Sequence, residues 1–182
     1  MKSRIVALLC LLMISIPGVA QEINWLSMDE ALKLQAENPK KIMMDVYTNW
    51  CGPCKMLDRR TFQNADVVEY VNAHYYSVKF DAEGNEGINY QKNYFSNPGF
   101  DPAKTRTRNG THQFTSYLRV SGYPTIVFFD EESNMIVPLT GVLNPQQLEL
   151  YLKMFKEDLQ KEITSEEQFK EYQSGFVPEF EG

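Results

Sequence analysis

A compact apolar run, Ile42-Met43-Met44-Asp45-Val46-Tyr47, leads within a few residues into Trp50-Cys51-Gly52-Pro53-Cys54-Lys55. The run has the length of a buried strand. Met56 and Leu57 then read as the start of a helix that continues through Phe62. Cys51 therefore sits where a strand gives way to a helix, and Cys54 lies one helical turn further along. The placement constrains both fold and chemistry.

The remainder alternates in type. Ile23-Asn24-Trp25-Leu26 is a short strand or lead-in, and Ser27-Met28-Asp29-Glu30 is a capping box opening a helix with Ala31, Leu32, Leu34 and Ala36. Asn38-Pro39 stops that helix. Asn64 caps a helix carrying Val67, Val68, Tyr70 and Val71, and Tyr75 to Phe80 is the next strand. Glu86 to Phe95 reads as a third helix. Residues 96–110 break the pattern with Asn97-Pro98-Gly99, Asp101-Pro102 and Asn109-Gly110, and carry Lys104, Arg106 and Arg108, so they read as a surface insertion. Helix resumes from Phe114 to Val120.

Gly122-Tyr123-Pro124-Thr125 leads into the strand Ile126 to Phe129, a turn spans Asp130 to Asn134, and Met135 to Thr140 answers. Asn144-Pro145-Gln146-Gln147 opens a helix whose apolar face is Leu148, Leu152 and Phe155. Strands alternating with helices predict an α/β fold, a mixed, partly parallel sheet covered on both faces. This domain is expected to run over 21–158, followed by a polar tail, 159–182, with one short helix capped at Ser165.

Lys2 and Arg4 precede an apolar run from Ile5 to Ile16 and the small residues Gly18-Val19-Ala20, the pattern of a secretory signal peptide cut after Ala20. The run is short for a membrane span, which sets an uncleaved anchor behind cleavage. A lipoprotein site is not expected, because Cys10 lies inside the apolar run. The chain is thus expected to be exported to a periplasmic or equivalent compartment. Cleavage leaves two of the three cysteines. A bridge closing so small a loop constrains the unfolded chain little, so redox chemistry explains the pair better than stapling. A net charge of −6 gives no general field for nucleic acid or an anionic membrane.

At a helix start, unpaired N–H groups favour an anion, so the Cys51 thiol is expected to ionise more readily than a free one. Cys54 is expected to be more shielded and to resolve a mixed disulfide by attacking Cys51. Gly52 and Pro53 lack charged or hydrogen-bonding side chains, stabilise the thiolate less than a histidine there, and tilt the couple towards the reducing side. Asp45 is costly in a buried strand unless paired or protonated. It reads as a group able to trade a proton with Cys54, against the alternative of a strand-end aspartate bonded to backbone. Lys79 on the next strand is either its partner or a solvent-facing lysine. Tyr123-Pro124, directly before a core strand, invites a special geometry such as a cis bond, against an ordinary trans turn.

Residues 50–55 resemble the thioredoxin active site residue for residue. Asp45 falls where that family keeps its buried aspartate, Lys79-Phe80-Asp81 resembles the segment holding its partner lysine, and Gly122-Tyr123-Pro124-Thr125 resembles its cis-proline loop. The resemblance runs from about Ile23 to Asp158. It implies the thioredoxin fold and thiol–disulfide exchange at Cys51 and Cys54. Trp50, Gly52, Pro53, Tyr123 and Pro124 would border the substrate, and the redox disulfide would be the sole cofactor. For an exported member it implies exported protein disulfides as substrates, re-reduction by a membrane thiol–disulfide donor, and a monomer. Three departures qualify the match, the first being the leader, which sets aside the cytoplasmic NADPH-dependent reductase as the expected partner. The insertion lies near where substrates dock and is placed to set partner choice, and Tyr47-Thr48-Asn49 replaces the more acidic lead-in of cytoplasmic members.

The leading expectation is a disulfide reductase. An oxidase or isomerase is the alternative within the same chemistry, favoured by the compartment. A thioredoxin-fold binding module or Cu(I) carrier is the alternative outside it. His74 and His112, the only histidines, are expected as ordinary surface or helix-end residues.

Overall fold

A computed structural model describes residues 22–182, so the expected leader and Cys10 lie outside the described residues. Its centre is β2 (Lys41–Tyr47), hydrogen-bonded along its length to β3 (Tyr75–Asp81) in parallel and over most of it to β6 (Thr125–Phe129) in antiparallel register. β1 (Trp25–Leu26) extends the sheet beyond β3, and β7 (Met135–Thr140) beyond β6, giving the order β1-β3-β2-β6-β7. The sheet is mixed, as the alternation of elements predicts.

β2 is buried on both sides, and its successive side chains divide the core in two. Met43 joins Leu57, Phe62, Val67, Val71, Phe128, Leu148, Leu152 and Phe155 under α3 (Ala65–His74) and α5 (Pro145–Lys156). Ile42, Met44 and Val46 join Met28, Ala31, Phe80, Phe114 and Phe129 under α1 (Met28–Glu37) and α4 (Gln113–Tyr117). The expected caps form. Ser27 and Asn144 each close a reciprocal capping box, and the Asn64 side chain accepts from Val67 N–H.

Three element expectations are corrected. Glu86 to Phe95 is not a helix. It is the hairpin β4 (Ile88–Tyr90) and β5 (Asn93–Phe95), closed by Gln91 and Lys92 at φ 48° and 64°. Ile88 and Tyr90 are buried with Asn89 exposed between them, a two-residue period too short to stand out from a helical one. The helix from Phe114 stops at Tyr117, because Arg119 takes a left-handed φ of 56°. The helix after the cysteines, α2 (Gly52–Leu57), does not run on as α-helix but widens into a π-helical turn at Asp58–Phe62.

The polar tail packs on the body. α6 (Glu166–Gly175) is capped by Ser165 as expected, and Phe169 stacks on Tyr151. Beyond it, Phe180 enters the core beside Tyr70. The fully buried Glu149 carboxylate accepts the N–H groups of Glu179 and Phe180 at 3.0 Å and pairs with Lys153 at 2.7 Å. A buried carboxylate satisfied by backbone donors holds the tail in one place. Phe180→Ala is expected to lower the unfolding free energy by about 3 kcal/mol in urea denaturation, whereas the exposed Val177→Ala changes it by less than about 0.5 kcal/mol.

Candidate active site

Cys51 is the residue before α2, and its sulfur accepts the N–H of Cys54 at 3.1 Å. Pro53, whose missing N–H costs nothing in a first turn, helps start this helix at once. The two cysteines are joined as a disulfide. The expected difference in shielding does not appear as exposure, since Cys51 and Cys54 are 2% and 3% exposed. An open groove is lined by Cys51 together with Trp50, Gly52, Pro53, Glu83, Arg108, Gly122 and Tyr123. Trp50 and Tyr123 meet edge to face across it at 6.1 Å. The Tyr123–Pro124 bond is cis, and Pro124 C=O accepts Gly141 N–H at 2.9 Å. All the residues expected to border a substrate, except the buried Pro124, line this groove.

Asp45 shares the β2 face of Met43, which α2 and the π-helical turn cover through Leu57 and Phe62. Its carboxylate is 1% exposed, with Oδ2 2.7 Å from Lys79 Nζ and Oδ1 without a hydrogen-bond partner. Parallel pairing puts Asp45 directly opposite Lys79, so the partnership is a matter of register. Burial pushes the Asp45 pKa up to about 6; Lys79 opposes this, and the negative charge of Asp58 adds to it. Burial alone would lower the pKa of Lys79, but Asp45 and Asp58 outweigh that and hold it above its ordinary value. The ammonium also lies over the rings of Trp25, Tyr47 and Phe62 at 4.7, 5.1 and 5.4 Å.

Two participants escaped the sequence reading. Asp58, where α2 passes into the π-helical turn, shares Lys79 with Asp45. Glu83, just beyond β3, accepts the Trp50 indole N–H at 2.7 Å. For Asp58 the signal was available in the seven-residue spacing from Cys51 along one helix, but only the β3 register says which cation it meets. His112 caps α4, as a helix-end residue would, yet is buried rather than on the surface. Its Nε2 engages Glu86 C=O at 2.7 Å and its Nδ1 accepts Phe114 N–H at 3.0 Å, so both ring nitrogens are used within the fold. Among the described residues, no group of three or more His, Cys, Asp or Glu is arranged to hold a metal ion.

Because folding raises the Asp45 pKa, the folded state binds more protons than the unfolded chain between about pH 4 and pH 6. Stability is therefore lost as pH rises through that window and is level above it. Asp45→Asn removes this loss, so thermal unfolding at pH 7 should find the variant more stable by about 2–3 kcal/mol, with the gain fading towards pH 4. Asp58→Asn leaves Lys79 to Asp45 alone and removes a negative neighbour. The same stability-against-pH curve should then place the Asp45 midpoint below that of the parent.

A family model for a thioredoxin-like domain matches residues 28–156. The thiol:disulfide interchange protein DsbD of Pectobacterium atrosepticum is 28% identical over 123 residues, covering 66% of this chain and 17% of that protein. DsbD of Actinobacillus pleuropneumoniae is 27% identical over 117 residues, covering 63% of this chain and 16% of that protein. The chain thus spans less than a fifth of the length of these curated relatives. Among solved structures, the DsbH oxidoreductase superposes with a TM-score of 0.54 at 21% identity, covering 82% of this chain and 92% of its own, which speaks to the fold. A Bacteroides thetaiotaomicron protein provisionally assigned as a disulphide isomerase gives 0.52 at 27% identity, covering 78% and 97%. With the family match spanning most of the chain, and the fold and cysteine pair in agreement with it, this protein belongs to the thioredoxin-like family.

Proposed function

We propose that this chain is a thiol–disulfide oxidoreductase that reduces disulfides of exported proteins. The observation that carries the reading is the Cys51–Cys54 disulfide closed at the wall of an open groove, with the buried Asp45 carboxylate on the strand behind it.

In the reduced protein the Cys51 thiolate attacks a substrate disulfide. A mixed disulfide forms and one substrate sulfur leaves as thiolate. Asp45 then accepts the proton of Cys54, whose thiolate attacks the Cys51 sulfur and releases the second substrate thiolate. The substrate gains two electrons and the protein returns to the disulfide. A carboxylate with a pKa near 6 suits this exchange near neutral pH, because it is mostly ionised yet basic enough to take a proton. Lys79 acts on this step through Asp45. Trp50, Gly52, Pro53, Tyr123 and Pro124 border the attacked bond. Tyr123 N–H and C=O take no part in the backbone hydrogen bonds around them among the described residues, which leaves them for an extended substrate segment.

The reducing direction rests on Gly52 and Pro53, which offer the thiolate no side-chain donor. Export rests on the leader pattern ahead of Gln21, and re-reduction by a membrane dithiol donor follows from export. The described residues contain no helix long and apolar enough to cross a membrane. The provisional assignment of the Bacteroides thetaiotaomicron protein favours an isomerase as the second reading.

The reduction potential of the pair, measured against glutathione or dithiothreitol buffers, decides between them. A value near that of thioredoxin itself, about −270 mV, is expected, and one between about −120 and −180 mV would replace the reductase reading by oxidase or isomerase. Cys54→Ser should accumulate the mixed disulfide with a protein substrate, visible on non-reducing gels. Cys51→Ser should form none and lose reductase turnover by at least about a thousandfold.

A further inference from the structure

The insertion 96–110 is fastened down at several points. The Asn97 amide donates to the carbonyls of Gly84 and Gly110 at 2.9 and 2.6 Å, tying its two ends to the β3 exit. Gly110 passes so close to Gly99 that a Cβ there would collide with its backbone. Asn109 binds Asp101 in both directions, accepting its N–H and donating to its C=O at 2.8 Å each. Asn109 N–H then donates to Glu83 Oε2 at 2.7 Å, the same oxygen that receives the Trp50 indole N–H.

The consequence falls on the next residue back. Arg108 is held with its guanidinium over the Trp50 ring, 5.0 Å from the centroid, at the wall of the groove that contains Cys51. It is exposed and pairs with no carboxylate among the described residues. The carboxylate in the same groove, Glu83, is already occupied by two N–H donors. A second shallow groove, also bordered by Trp50, is lined by Asn49, Lys55, Thr105 and Arg106, with no acidic residue. Arg108 and Glu83 share the groove that contains Cys51, the groove of Lys55 and Arg106 holds no acid, and a third groove at Trp50 carries Asp81 and Glu83 with Lys104, so Arg108 is the cation beside Cys51 whose guanidinium is left without a carboxylate partner among the described residues. An arginine pre-oriented by stacking gives up little freedom on binding, and its planar fork matches a carboxylate.

We propose that Arg108, backed by Lys55 and Arg106, is a specificity determinant that reads a carboxylate beside the reactive cysteine of the partner, so that the segment received in this groove is an acidic peptide. This rests on the exchange reading above and adds the substrate class to it.

The test uses the mature protein in reduced form and two peptide disulfides, identical except for Glu or Gln on either side of the cysteine. Stopped-flow Trp fluorescence gives the rate constant for each, with hydroxyethyl disulfide as a small uncharged substrate. The Glu peptide should react about five- to tenfold faster than the Gln peptide at low salt, with the ratio falling towards one at about 0.5 M NaCl. R108Q should bring the ratio close to one at low salt, and the double variant K55Q/R106Q should roughly halve it. A ratio of one in the parent, or a ratio that R108Q leaves intact, overturns the proposal while exchange with hydroxyethyl disulfide still upholds the oxidoreductase. Failure to exchange with hydroxyethyl disulfide overturns both.

Discussion

Two-sided pairing of β2 is the constraint on which the site depends. Its backbone is bonded to β3 on one edge and β6 on the other, so its C-terminal end has almost no freedom to move relative to the sheet. The chain leaves that fixed point through a short turn in which Cys51 N–H donates to Thr48 C=O at 3.1 Å, and α2 begins at the following residue. The same strand carries Asp45 on the face that α2 covers. Reactive sulfur and buried carboxylate are therefore placed by one rigid element, and the cis-Pro124 segment enters through β6, the strand on its other edge.

That arrangement sets an electrostatic problem at the centre of the fold. A lone carboxylate under α2 would be driven to its neutral form, while a full private ion pair with Lys79 would hold it ionised and a poor base. The structure lies between the extremes. Lys79 is divided between Asp45 and the half-exposed Asp58, and one Asp45 oxygen has no partner. The resulting affinity for a proton destabilises the fold at neutral pH, and a purely structural aspartate would not need it. Under the exchange proposed above, that cost is what leaves Asp45 able to take the proton of Cys54.

What could be read from the sequence was whatever depends on neighbours along the chain. The Ser27, Asn64, Asn144 and Ser165 caps are local hydrogen bonds, and the cysteine pair is a local spacing, so they appear as expected. The Asp45–Lys79 contact was legible only as one of two options, because it needs the register between strands over thirty residues apart. The β4–β5 hairpin was misread because Gln91 and Lys92 adopt positive φ without a glycine or asparagine to announce it. Glu149 and Phe180 were silent for a related reason. One is a charged helix residue and the other a near-terminal aromatic, and only tertiary contact shows that each completes the other's burial.

Residues 96–110 show the same limit at the active site. Their proline, glycine and asparagine content describes a solvated loop, yet Asn97, Asn109 and Gly110 make the contacts that turn it into a fixed wall. Glu83 is the joint: one carboxylate oxygen holds both the loop backbone and the indole of Trp50. Because a single oxygen serves both donors, the loop cannot shift without disturbing the tryptophan beside Cys51. A segment anchored in this way differs from a surface ornament in a physical sense. Arg108, stacked on Trp50 next to the anchored Asn109, is the charge of this loop held beside the cysteine pair, and a charge held in place lets a groove discriminate among partners rather than merely attract them.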